Sequence, residues 1–326
     1  MTNLKSKTMD TTDPAPIRIG VSACLLGEKV RFDGHHKLDR YIRDTLGDYF
    51  ELVPVCPEVA VGLGVPRPTI QLEGEPLRPR AVGVIDKSID VTGPLERYGR
   101  RMTRELAPLA GYLFKARSPS CGMTGVKIHQ QRGRPKAGRG VYARELLAAH
   151  PWLPAEEEDR LSDPVLRESF VERVFAYHRW QQLAAARITP ARLQTFHSRH
   201  KLILLSHGAE HYRTLGRLVA DIRRETIRTA AQDYLAGFMT ALQRPATRKR
   251  HANVLQHLLG YLKRSLGRDD KEELLACIDD YRLCRLPLIV PLTLLRHHFR
   301  RHPDAYVAQQ YYLEPHPAEL MLRYCI

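Results

Sequence analysis

Hydrophobic and polar positions fall into two patterns along the chain, and the change comes near residue 150. Up to there, short apolar, β-branched runs alternate with amphipathic stretches and Gly/Pro turns. The runs at 17–23, 51–56, 81–85 and 111–116, with 125–129 as a further one, read as buried strands. Between them, 38–46, 95–110 and 141–149 carry a helical period. Such alternation predicts an α/β domain over 17–150, Rossmann-like and with a mostly parallel sheet. From about 165 onward the strand signals vanish. The stretches 165–185, 189–224, 226–243, 246–266, 271–282 and 292–301, with a short one at 303–312, all show helical spacing and predict an all-α domain over 165–326. Residues 151–164 read as a linker, in which Ser162-Asp163-Pro164 is a helix-start signal. Residues 1–16 are polar and are expected to be disordered.

Composition narrows the setting. The 326 residues suffice for two domains and a sizeable core. No run of about 18 apolar residues predicts a membrane span, and the polar start lacks the apolar segment of a secretory signal. A cytoplasmic protein is expected, with its six cysteines reduced or metal-bound rather than paired.

The charge is +15 and unevenly spread. Residues 1–150 carry a net +8, 151–190 a net −2 and 191–268 a net +11. No Asp or Glu occurs between Glu105 and Glu145, an interval that includes the Gly/Arg-rich loop Arg132, Arg134, Lys136 and Arg139. A second basic group comprises Lys201, Arg244, Arg248, Lys249 and Arg250. Blocks of one sign do not cancel their own field, so a polyanionic partner such as a nucleic acid is expected. A solvated basic face is the plainer alternative. No protein partner is inferable.

Three cysteines change the picture most. Cys24, Cys56 and Cys121 each follow an apolar run, at predicted strand ends. In an open parallel sheet, residues just past the strand carboxyl ends meet in one crevice. Three thiolates at one point suggest a metal centre with one position left open. Zinc and three unrelated buried cysteines are the alternatives, but structural zinc takes four ligands, often in Cys-x-x-Cys pairs, and no such pair occurs here. Cys277, Cys284 and Cys325 lie in helical context or near the C-terminus and are expected to be idle.

The segments around these cysteines are Ser22-Ala23-Cys24-Leu25-Leu26-Gly27 with Val30 to Gly34, Pro54-Val55-Cys56-Pro57-Glu58, and Lys115 to Gly122. Together they resemble the thiouracil desulfidase family. Phe196-His197 through His207, then Arg285 to Pro291 and Tyr311-Tyr312-Leu313, resemble the helical domain fused to some desulfidases, which are similar to tRNA 4-thiouridine desulfidases. The resemblance implies a 4Fe–4S cluster on Cys24, Cys56 and Cys121 with one iron free of protein ligands. It further implies a hydrolytic, non-redox removal of sulfur from thiolated uridine in tRNA, yielding uridine and hydrosulfide. Glu58 and Ser118 match the family's functional carboxylate and hydroxyl.

Chemistry agrees with those two positions. Glu58 lies two residues past a ligand and could take a proton from water, or could cap a helix begun at Pro57. Ser118 lies three residues before a ligand, and Ser118-Pro119 is also an ordinary turn. Ser120 is a rival hydroxyl. Ser22, Arg31 and Asp33 are candidate pocket residues, although Asp33-Gly34 is a turn signal as well. Two other functions stay open: desulfuration of free thiouracil, and a non-catalytic RNA-binding iron–sulfur protein. The stripe His197, His200, His207 and His211 shares one helix face and reads as polar packing or a phosphate-facing edge rather than a metal site.

Overall fold

The computed structural model describes residues 16–326. The expected disorder of the N-terminal stretch lies almost wholly outside these residues. The cysteine-bearing half opens with β1 (Arg18–Ser22), β2 (Glu51–Val55), the short helix α1 (Pro57–Ala60), β3 (Ile70–Glu73), β4 (Arg80–Gly83) and α2 (Thr92–Glu105). It continues with β5 (Gly111–Phe114), β6 (Val126–His129), β7 (Lys136–Gly138), α3 (Val141–Ala149) and β8 (Ala155–Glu157). Helices then follow without further strands: α4 (Pro164–Ala185), α5 (Pro190–His207), α6 (Ala209–Ala220), α7 (Ile227–Leu242), α8 (Arg248–Leu262), α9 (Arg268–Arg282) and α10 (Ile289–Arg301). The α/β half followed by an all-α half is the expected class.

Four strands form the main sheet in the order β2-β1-β5-β8, every pair parallel. The chain moves outward one way from β1 to β2 and the other way from β5 to β8, so β1 and β5 flank a topological switch point. Registers align the carboxyl ends: Ser22 pairs with Val55 and Phe114 with Glu157. A second, mixed sheet runs β4-β3-β6-β7.

The main sheet is buried on both faces. Val55, Met102, Tyr112, Phe114, Tyr142 and Leu146 pack between it and the helices α2 and α3. On the other face Ile19, Val21 and Leu113 meet Phe170, Val171 and Val174 of α4, with Leu320 and Leu322 from the C-terminal turns. Further along the same helix, Ala176 and Trp180 join the separate core of the helical half. Asp163 caps α4, its carboxylate accepting from Val165 N–H at 2.8 Å, as the Ser-Asp-Pro signal predicts.

Three stretches differ from the sequence reading. The supposed linker contains β8, whose Glu156 and Glu157 are each only 4 % exposed. They are buried because they are partnered: Glu156 by Arg160 at 2.6 Å, Glu157 by the Met123 amide at 2.7 Å and the Thr124 hydroxyl at 2.7 Å. The basic 132–140 loop contains β7, an edge strand antiparallel to β6. The single long period over 189–224 is two helices, α5 and α6, divided at Gly208. Among the described residues, no helix is long and apolar enough to cross a membrane.

Candidate metal centre and active site

The carboxyl ends of β1, β2 and β5 open onto a cavity of about 670 Å³, and Cys24, Cys56 and Cys121 all line it. Each is placed by a different local device. Cys24 sits in the 3-10 turn Ala23–Leu26 that Gly27 closes, with φ at 96°, a conformation that favours glycine. Cys56 is the residue ahead of α1, whose first position is Pro57. Cys121 follows a turn held by Ser118, whose Oγ accepts from the Ser120 and Cys121 amides at 3.3 and 3.1 Å.

The start of α3 grips that turn from behind. Val141 N–H donates to the Pro119 carbonyl and Ala143 N–H to that of Ser120, both at 3.1 Å. Gly140 passes so close that a Cβ would lie 2.5 Å from the Ser120 carbonyl oxygen and 2.9 Å from the Cys121 nitrogen. Only glycine permits this approach.

The thiols resist ionisation unaided. Burial pushes Cys24 up to about 11, although Lys115 pulls the other way. Burial raises Cys121 well above the ordinary range, assisted by the charges of Glu58 and Cys56. Cys56 is raised by burial too, against the Val59 amide. Buried thiols of this kind ionise when a bound cationic centre offsets the charge. Cys277, Cys284 and Cys325 do not line the cavity. The donor set is therefore three thiols. Among the described residues, no three Cys, His, Asp or Glu side chains lie close enough to share a single metal ion. Structural zinc takes four protein ligands, so three thiols fit a cluster with one site free of protein ligands better than they fit zinc.

Glu58 lines the cavity with both carboxylate oxygens engaged. Oε2 accepts from Arg67 Nε at 2.9 Å and lies 2.7 Å from Nη2, and Oε1 accepts from the Ser120 hydroxyl. Arg67 in turn donates from Nη1 to the carbonyls of Val30 at 2.9 Å and Gly64 at 3.0 Å, tying three loops together. Lys115 and Glu158 form an ion pair at the cavity wall. Arg67, Lys115 and Glu158 were not singled out from the sequence. The Pro-flanked setting of Arg67 carries no periodic signal, and Lys115 and Glu158 are 43 residues apart.

The other candidates divide. Ser22 is buried at the cavity, its Oγ accepting from the Lys115 amide at 2.9 Å. Arg31 lines the cavity, its Nε lying 3.5 Å from Asp33 Oδ1 in an ion pair. Asp33 does not line it; its Oδ1 accepts from the His35 amide at 3.1 Å and closes a turn. Ser118 lines the wall, whereas Ser120 lies behind it against Glu58.

The basic candidates also divide. Arg132, Arg134, Lys136 and Arg139 are exposed on and around β7, and Arg244 and Lys249 are exposed in the helical half. Lys201 and Arg250 are half-buried. Arg248 is structural: its Nη1 donates to the carbonyls of Tyr281 and Leu286, both at 3.0 Å, and its guanidinium lies over the Tyr281 ring. The histidine stripe does not share one helix: His211 lies on α6 beyond the Gly208 break, and the other three are packing residues of α5. His197, His200 and His207 are buried, bonded to Tyr234 Oη, the Phe196 carbonyl, and Glu172 with the Arg244 carbonyl respectively.

Comparison with known proteins agrees with both halves. The family model for 2-thiouracil desulfurase matches residues 19–158, and that for a protein of unknown function (DUF1722) matches 201–317. Uncharacterized protein YbgA of Escherichia coli (strain K12) is 34 % identical over 158 residues, covering 48 % of this chain and 94 % of that protein. The solved structure of a 4Fe–4S-dependent thiouracil desulfidase, TudS, is 35 % identical, covering 47 % of this chain and 98 % of that one, with a TM-score of 0.37. The cavity-bearing sheet and the helices behind it thus belong to a member of the thiouracil desulfidase family that carries a C-terminal helical domain.

Proposed function

We propose that this protein removes sulfur from 4-thiouridine in tRNA, giving uridine and hydrosulfide. The observation that carries the reading is the convergence of three thiols and the pinned Glu58 carboxylate on one cavity. A 4Fe–4S cluster held by Cys24, Cys56 and Cys121 would supply a Lewis-acidic iron that favours a thiocarbonyl sulfur over an oxygen. The protein's own residues then have distinct tasks. Glu58 takes a proton from the water that adds to the ring carbon, and Arg67 keeps its carboxylate oriented. Ser120 donates to Glu58 and fixes the oxygen that faces it. Ser118 holds the Cys121 turn in shape. Lys115, paired with Glu158, sets its ammonium beside Cys24, and Arg31, held against Asp33, lines the cavity with its guanidinium. The carbon loses its sulfur as hydrosulfide and gains the oxygen of water, so no electron is exchanged with a donor.

RNA as the substrate is supported by the exposed cations around β7, which belong to the same half as the cavity, and by Arg244 and Lys249 in the helical half. Such residues grip phosphates without reading sequence. The test is hydrosulfide release by anaerobically purified protein from thiolated tRNA and from free thiouracil. Much higher kcat/KM on tRNA is expected. Equal or greater efficiency on the free base would overturn the tRNA reading, and release from neither would overturn the enzyme.

A further inference from the structure

The helical half holds a cavity of about 400 Å³ between α4, α5 and the segment at Tyr311. Three guanidiniums line it: Arg179 of α4, and Arg192 and Arg199 of α5, beside Phe196 and Tyr311. Arg192 and Arg199 are two turns apart and share a helix face. No acidic side chain lines the cavity. The chain has no Asp or Glu between Glu172 and Glu210, an interval that carries six Lys and Arg residues.

Arg179 is the most constrained of the three. Its guanidinium lies 4.0 Å from the Tyr311 ring centre, and Nη2 donates to the Pro315 carbonyl at 2.5 Å. Its Nη1 is buried with no partner. Burial pulls Arg179 down to about 10, and burial with the Arg179 charge pulls neighbouring His200 to about 3. The Glu172 charge reaches Arg179, but among the described residues no carboxylate pairs with it directly, and an oxyanion is the partner that a desolvated guanidinium fork fits best.

Position selects the kind of anion. Arg179 lies fifteen residues into α4, about 22 Å along it at 1.5 Å per residue. Gln181, at the same end, donates to the Leu109 carbonyl just ahead of β5. This cavity is therefore at the amino-terminal edge of the main sheet, opposite the thiols. An anion bound here cannot be part of the reacting base, but a long polyanion reaches both places. We propose that the Arg179, Arg192 and Arg199 cavity takes a backbone phosphate of the RNA substrate, remote from the reacting base; this rests on the tRNA reading above.

The test is tRNA affinity over a salt series for the cluster-loaded wild type and for Arg192→Ala/Arg199→Ala, whose side chains are exposed. Visible absorption and melting temperature report whether the variant is intact. The variant is expected to bind at least tenfold more weakly, with a log affinity against log salt slope shallower by about 1 to 2. Arg192→Lys/Arg199→Lys should recover part of the loss. Wild-type binding that the alanine variant leaves unchanged overturns this cavity's role and leaves the tRNA reading standing. A wild type that does not bind tRNA overturns both. Loss of uridine monophosphate binding with tRNA affinity intact would make this a small-nucleotide site and overturn the backbone assignment.

Discussion

Arg67 holds Glu58 through two guanidinium nitrogens, at 2.9 and 2.7 Å from the same carboxylate oxygen. The arginine side chain is 4 % exposed and the glutamate 14 %, so the pair is shielded from solvent. One oxygen is thereby fixed, and the other faces the Ser120 hydroxyl. Glu58→Gln should keep the iron and lower kcat by roughly 10²–10⁴-fold, the usual contribution of a general base. Arg67→Lys keeps a charge but loses the two-point hold, and its kcat should fall less. Visible absorption and steady-state rates on one preparation check both. A cluster-loaded Glu58→Gln enzyme with near-normal kcat would reduce Glu58 to a helix-start carboxylate.

Replacing Cys24, Cys56 or Cys121 singly with Ser should abolish both bound iron and hydrosulfide release. Cys277→Ser, Cys284→Ser and Cys325→Ser should leave iron content unchanged, because none of those residues lines the thiol cavity. Iron quantified after anaerobic purification decides. Iron retained by a variant of the first group would exclude that thiol as a ligand.

Gly140→Ala should lose the cluster although residue 140 touches no substrate. The added methyl meets the backbone of Ser120 and Cys121, which cannot swing aside as a side-chain tip would. The Cys121 turn must shift, and ligand geometry with it. Reduced iron per protein with an otherwise folded circular dichroism spectrum is the expected result. Full iron loading would show that the turn and α3 can separate without penalty.

The helical half should lose stability as pH falls from about 6.5. Burial holds His197 near 4, with Lys201 adding to the shift. Burial holds His200 and His251 near 3, with Arg179 and Arg323 adding respectively. These rings are neutral when folded, whereas the unfolded chain gains protons near pH 6.5, so their contribution is complete above that pH and fades below it. His207 has the opposite sign. Burial would lower it, but the hydrogen bond and charge of Glu172 lift it above the ordinary value, so its contribution is present in acid and lost as pH rises through the folded value. With His178 of α4 also lowered by burial, four lowered histidines against one raised predict a melting temperature that declines from pH 7 to pH 4, and His200→Phe should flatten the decline. A flat profile in the wild type would contradict the assignment.

The sequence disclosed the strand-end cysteines because two signals coincided there, an apolar β-branched run and a ligand-type residue at its end. It disclosed Glu58 because that residue lies two positions past Cys56. Arg67 stayed hidden because its role is made wholly by tertiary contacts, with the Val30 and Gly64 carbonyls and a carboxylate nine residues away. β8 stayed hidden because its glutamates look solvent-bound until Arg160, Met123 and Thr124 are folded around them. Arg248 illustrates the converse: a basic helix start looked like a phosphate patch, but its guanidinium is taken by two carbonyls of the protein itself.

Helix α4 belongs to two cores at once, with Phe170, Val171 and Val174 covering the sheet and Ala176 and Trp180 anchored among the helices. The place where the sequence changes character is therefore not a seam between two independent cores in this chain. Severing the chain before Pro164 would strip one face of the main sheet and leave Ile19, Val21 and Leu113 open to water. An engineer wishing to graft this helical half onto another cysteine-bearing sheet would have to carry α4 across with it and rebuild the host's surface to receive Phe170 and Val174.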